Sequence, residues 1–197
     1  RVGVLVRSHL GIAGDCAIGS IDDRAFDTKV LDVATVVQKI GEPDLDDKVI
    51  KSGRTTAVTH GIVTRIHTIT KIDYGAPVGE ESIGGFEIGP DPDHPAANGE
   101  ISLGGDSGSV WLLKNAQGKP TNIMAGLHFA GETPSDPNEH AVACYASSVF
   151  EKLEITLEPL PSIPQAAQPT GYDPNFLGSR VDVPKLTAAQ KNDAAKL

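Results

Sequence analysis

Gly104-Gly105-Asp106-Ser107-Gly108-Ser109-Val110-Trp111-Leu112-Leu113 is the stretch whose reading decides the fold. A serine set between an acid and glycines, with an apolar run directly behind it, is how a nucleophilic loop enters a buried strand. A hydroxyl that attacks a carbonyl needs backbone N–H groups aimed at the developing oxyanion, and bulky side chains there would block the substrate. Gly105 and Ser107 are the donors this stretch offers. The alternative is an ordinary Gly/Asp/Ser turn, because turns favour the same residues.

Outside this stretch, composition narrows the class. A chain of 197 residues holds one domain with a core, or a domain and a tail. Only 5% of residues are aromatic, and 21 Gly and 14 Pro punctuate runs rich in Val, Ile and Thr, so the expectation is an all-β fold. A net charge of -9 excludes a nucleic-acid-binding surface spread over the whole chain. Cys16 and Cys144 form neither a disulfide framework nor a zinc spacing. No metal and no cofactor is expected, and the cysteine usage favours a reduced, cytoplasmic setting. No apolar run is long enough to span a membrane, so no membrane partner is expected.

The pattern along the chain is that of short strands separated by turn signals: residues 2–6, 16–21, 48–52, 61–66, 86–88, 110–113, 123–129 and 141–145. Residues 147–153 switch to helical spacing, with Val149, Phe150 and Leu153 on the apolar face. Residues 158–170 are interrupted by Pro159, Pro161, Pro164 and Pro169 and read as an extended linker, with 171–197 beginning something else. Asp91, Asp93 and His94 lie among prolines and read as a surface loop, not a metal site. Trp111 reads as core, and Cys16 as a small buried apolar residue.

A serine nucleophile needs a histidine base and an acid that fixes the histidine's tautomer. Asp15, at the entry to the small-residue strand Cys16-Ala17-Ile18-Gly19-Ser20, is the best candidate acid, with a plain strand-start aspartate as the alternative.

Asp15-Cys16-Ala17-Ile18, Lys51-Ser52-Gly53-Arg54-Thr55-Thr56, Gly105-Asp106-Ser107-Gly108-Ser109 and Ala125-Gly126-Leu127-His128-Phe129-Ala130-Gly131 occur in the order found in trypsin-like serine peptidases with two β-barrels. The chain resembles most the bacterial trypsin-like group that also includes the plant narrow-leaf protein, over about residues 1–155, which implies a peptidase domain over 1–157. The resemblance implies a chymotrypsin-like double β-barrel, here the second barrel plus the end of the first, with a C-terminal helix and an extended tail. It implies a serine endopeptidase working on a peptide or protein substrate through an acyl-enzyme. Ser107 would be the nucleophile, Asp15 the acid, and the N–H groups of Gly105 and Ser107 the oxyanion hole. Where secreted relatives carry a disulfide, Ile50 and His60 stand here.

The histidine of that family lies well before the acid, and nothing upstream of Asp15 matches its motif. His9 is the only upstream histidine. The expectation is therefore that an N-terminal segment, missing here, carries the base. His128 stands where the resemblance places a histidine in the primary specificity pocket of glutamyl endopeptidases, implying cleavage after Glu or Asp, and Ser102 and Gly131 are expected to shape that pocket. A structural histidine satisfied by the barrel wall is the other reading. Gly171-Tyr172-Asp173-Pro174-Asn175-Phe176-Leu177-Gly178 resembles the opening of a DNA/RNA non-specific endonuclease domain, implying a peptidase-nuclease fusion of the kind that suits a toxin or antiphage effector. The alternative for the whole chain is an inactive peptidase-fold scaffold that binds peptides or regulates an attached nuclease.

Overall fold

The computed structural model describes residues 2–132 and 137–157. The proposed linker and endonuclease start, residues 158–197, lie outside the described residues.

Six antiparallel strands close into a barrel: β6 (Lys48–Gly53), β7 (Ala57–Asp73), β8 (Glu80–Pro90), β9 (Val110–Lys114), β10 (Pro120–Gly131) and β11 (Ala141–Tyr145). The hydrogen-bonded order runs β6-β7-β8-β11-β10-β9 and returns to β6, so no edge is left between the six. The earlier strands are short: β1 (Leu5–Gly11), β2 (Gly14–Gly19), β3 (Lys29–Val30), β4 (Thr35–Val36) and β5 (Lys39–Ile40). β1 and β2 make a separate two-stranded ribbon, β3 and β4 another, and β5 adds to β10 in parallel. The expected all-β architecture, with its second barrel whole and one C-terminal helix, is present.

Alternation explains the barrel. In β7, Thr59, Gly61 and Val63 point inward and their neighbours do not. Val49, Val63, Phe86, Ile88, Ile101, Trp111, Ala125, Ala141 and Ala143 fill the interior. Trp111 is fully buried, as its run of apolar neighbours implied. Ile50 and His60 are cross-strand partners in the β6–β7 hairpin, where the disulfide of secreted relatives was expected to be replaced.

A second apolar cluster ties the ribbon and the helix to the outside of the barrel. Cys16, Ile83, Cys144, Val149 and Leu153 are its buried members. Helix α1 (Ala146–Leu153) has eight residues, too few to persist alone. Burial of Val149 and Leu153, each contributing about 2 kcal/mol, holds it in place. Arg7 of β1 donates from Nη1 to the Leu153 carbonyl and pairs through Nη2 with Glu154 at 3.0 Å, placing a cation at the helix C-terminus.

Beyond the barrel, β7 and β8 continue as a paired arm from Thr68↔Gly85 to Asp73↔Glu80. The sequence reading ended these strands early, because residues 67–85 are largely polar and the arm buries little. No helix among the described residues is long and apolar enough to cross a membrane.

Candidate functional site

Ser107 sits on the loop that leads from Ile101 into β9, and the loop is fixed through Asp106. Asp106 is fully buried. Its Oδ1 accepts from the backbone N–H of Thr55 at 2.7 Å and of Thr56 at 3.2 Å. Oδ2 accepts from Thr56 Oγ1 at 2.6 Å, Lys51 Nζ at 3.1 Å and the Leu103 N–H at 3.1 Å. Thus the tip of the β6–β7 hairpin, 54–56, acts as a cradle for the residue before the serine. Gly53 is required there, since a Cβ would meet Lys51 Nζ at 2.9 Å and collide with the Asp106 carboxylate.

Burial opposes ionisation of Asp106, but the Thr56 hydroxyl, the Thr55 N–H and Lys51 together hold its carboxyl well below the usual range. Burial in turn lowers the Lys51 ammonium, and the Asp106 carboxylate works against that. Lys51 also lies 5.5 Å from the centre of the Trp111 ring. Its role could have been inferred from the need of a buried aspartate for a counter-charge.

The serine loop is stitched to β10: Gly108 N–H donates to the His128 carbonyl at 2.8 Å and His128 N–H to the Ser109 carbonyl at 2.9 Å. Gly105 has φ +106 and Gly108 φ +87, so both turns need glycine. The N–H groups of Gly105 and Ser107 donate to no described residue, as an oxyanion site requires. Ser107 is exposed, and its Oγ lies 3.4 Å from the Phe129 carbonyl. No described histidine hydrogen-bonds to it.

Asp15 is half-buried on β2, next to the ribbon turn. Its N–H points to Cys144 Sγ at 3.2 Å, and its Oδ2 accepts from the Tyr74 hydroxyl at 2.7 Å. Tyr74 and Phe129 line one cleft of 480 Å³. Asp15 and Ser107 each bond to a residue that lines it, Tyr74 and Phe129 respectively. His9 faces Cys16 across the ribbon, and its Nε2 is buried without a described partner.

His128 is buried at 3% exposure, with Nδ1 unpartnered among the described residues. Burial, then the Lys51 ammonium, bring its pKa down to about 4 against weaker support from Asp106 and the Val142 backbone. Its ring meets Trp111 edge-on at 6.3 Å. Ser102 is equally buried, with an unpartnered Oγ, and lies directly against Gly131: a Cβ on that glycine would collide with it. Glu139 fixes the backbone behind Ser102, accepting at Oε1 from the N–H of Ile101 and of Ser102 at 2.8 and 3.2 Å.

Asp91, Asp93 and His94 lie on the loop after β8, with Asp93 and His94 exposed, but the Asp91 side chain is fully buried, and with His60 and His94 it brings ligand atoms within 4.8 Å of one another. A protein cation already sits against two of the three. The Lys114 ammonium, itself sealed from solvent, lies 3.1 Å from His60 Nδ1 and 3.4 Å from Asp91 Oδ2, and Lys48 lies 3.5 Å from Oδ1. Burial and the neighbouring Lys114 push the His60 pKa down, which suits an imidazole accepting from an ammonium. The cluster is an ion-pair hub that ties β6, β7 and β9 to the loop that follows β8.

Neither a protein-family model nor a curated protein matches the sequence. Solved structures do match. A glutamic-acid-specific serine protease, described as using a histidine triad in substrate binding, is similar with a TM-score of 0.55 and 19% identity, over 76% of this chain and 70% of that one. The Nocardiopsis protease NAPase gives 0.56 at 13% identity, over 77% and 71%. Cellulomonas bogoriensis chymotrypsin gives 0.54 at 16%, over 76% and 71%. The chain therefore has the chymotrypsin fold of bacterial serine proteases.

Proposed function

We propose that the chain is the catalytic core of a serine endopeptidase in which Ser107 attacks the peptide carbonyl, Gly105 and Ser107 N–H groups receive the oxyanion, and Asp15 orients the base. The observation that carries this reading is the Asp106 cradle. A buried ion pair and three backbone N–H groups are spent on fixing one loop, and that loop presents an exposed hydroxyl between two unpaired N–H groups. Such pre-organisation is what acyl transfer asks of a protein.

The base comes, on this reading, from a segment that covers the β1–β2 ribbon. Val4, Leu5, Val6 and Ile12 of the ribbon and its approach are exposed, Leu5 at 64% and Val6 at 66%. A two-stranded ribbon with apolar residues in water is marginal by itself, and further strands packed on it would complete a barrel.

An acidic side chain before the scissile bond is the preference that the buried His128 and Ser102 support on this reading. His128 Nδ1 and Ser102 Oγ are buried polar atoms without partners, and a substrate carboxylate would satisfy both. An imidazole lowered to about 4 is neutral when the pocket is empty, so a bound carboxylate must bring a proton with it. Relative similarity to a glutamic-acid-specific protease supports the same preference, although His128 here contacts Trp111 and no second described histidine. The test is a peptide panel cleaved by the complete gene product and its Ser107→Ala variant. Ser107-dependent cleavage after Glu is expected to exceed cleavage after Gln at least tenfold, and to weaken through KM as pH rises. Equal rates after Glu and Gln would refute the acidic preference and leave the peptidase reading intact.

A second reading follows from the lack of any described histidine bonded to Ser107: a peptidase fold that binds peptides in the 480 Å³ cleft without cleaving them.

A further inference from the structure

The β7–β8 arm does more than extend the barrel. Its tip is tightly built: Tyr74 N–H donates to the Gly79 carbonyl at 2.9 Å, Gly79 N–H to the Gly75 carbonyl at 2.7 Å, and Gly75 N–H to Asp73 Oδ1 at 2.8 Å. The arm docks on the ribbon at two points. Gly84 N–H donates to the Ile12 carbonyl at 3.1 Å in the β1–β2 turn, and the Tyr74 hydroxyl donates to Asp15 Oδ2 at 2.7 Å. No described residue donates to Asp15 Oδ1.

We propose that Tyr74 is a positioning residue for the reaction: its hydroxyl, delivered by the β7–β8 arm, fixes one oxygen of the Asp15 carboxylate and leaves the other for the imidazole. This rests on Asp15 being the acid of the proposed peptidase. A carboxylate that must hold an imidazole in one tautomer and orientation works only if its own rotation is stopped. Here the stop is a rigid phenol, a donor with two side-chain torsions, anchored at a tip whose backbone is closed by three hydrogen bonds. The contact reaches 59 residues along the chain, from the arm of the barrel to the β1–β2 ribbon. Burial, and then the bond to Asp15, raise the Tyr74 phenol, which keeps it protonated and a donor throughout the working range. The same side chain lines the cleft with Phe129, Ala130 and Gly131.

Two measurements test this. In the first, 3,5-difluorotyrosine, which is acidic enough to titrate while the protein is folded, replaces Tyr74 in the 197-residue chain. Its ionisation is expected above that of the free amino acid, and Asp15→Asn is expected to lower it by about one pH unit or more. An unmoved midpoint overturns the contact. In the second, Tyr74→Phe and Asp15→Asn are compared in the complete gene product on a short ester substrate. Tyr74→Phe is expected to lower kcat about tenfold with KM unchanged. It should also move the acid limb of the kcat/KM profile to higher pH, because a carboxylate relieved of one donor stabilises the imidazolium more. A variant impaired only in folding would lose rate without moving that limb. Full rate in Tyr74→Phe beside a large loss in Asp15→Asn overturns the role of Tyr74 and leaves that of Asp15. Full rate in Asp15→Asn, with Ser107→Ala inert, removes Asp15 as the acid and the proposal with it.

Discussion

Lys51 Nζ stands 3.1 Å from Asp106 Oδ2 with both side chains sealed from solvent, so the residue before the reactive serine is held by an ion pair made across 55 positions of sequence. Removing one partner of such a pair leaves an uncompensated buried charge. Lys51→Met is therefore expected to destabilise the fold by about 3–5 kcal/mol, read from equilibrium urea unfolding. A loss near zero would mean that the three N–H groups and Thr56 hold Asp106 unaided. Because the Asp106 pKa is depressed in the fold, its contribution is full above the ordinary carboxylate value and is lost as pH falls below it.

His128 gives stability a second pH dependence. Its pKa falls from 6.5 to about 4 on folding, so the unfolded chain binds more protons between these values, and stability rises with pH across that window. The change amounts to about 3 kcal/mol over the window, fully gained above 6.5 and lost as pH approaches 4. His128→Gln is expected to flatten the stability curve between those limits. An equally steep curve in the variant would place the titration elsewhere.

At Gly105 the backbone has φ +106 and an added Cβ would meet Thr55 Oγ1 at 2.6 Å. Gly105→Ala must move the N–H that faces the oxyanion. In the complete gene product it is expected to slow acylation of Ser107 at least 100-fold while the unfolding temperature falls only a few degrees. Unchanged acylation would remove this N–H from the oxyanion site.

Both cysteines should be inert in the folded chain. Cys16 and Cys144 are buried, and burial pushes the Cys144 thiol up to about 12. Neither is expected to react with a disulfide reagent at neutral pH until denaturant is added. Rapid labelling of the native protein would show that the ribbon opens away from β11.

What the sequence made legible follows from how local each signal is. Ser107, Asp106 and β9 were readable because the glycines, the acid and the apolar run lie within ten residues. The start of β6 and both ends of β11 were placed as observed, and α1 began one residue early, because their apolar runs are short and bounded by turns. The β7–β8 arm was missed because its alternation carries Thr, Lys and Asp instead of core residues. Lys51 and Tyr74 were missed for another reason. Each acts through a polar contact spanning more than fifty positions, and no periodicity marks such a pair. The loop of Asp91 was legible but its burial was not, because the prolines describe the chain path and say nothing of the lysines that fold over it.

The central claim is that Ser107 is a nucleophile in a loop built for acyl transfer. The most direct test is the intact mass of the complete gene product after exposure to a fluorophosphonate, alongside its Ser107→Ala variant. One adduct per chain, mapped to Ser107 and lost in the variant, is the expected result. An unlabelled native protein would contradict the account and leave a peptide-binding scaffold.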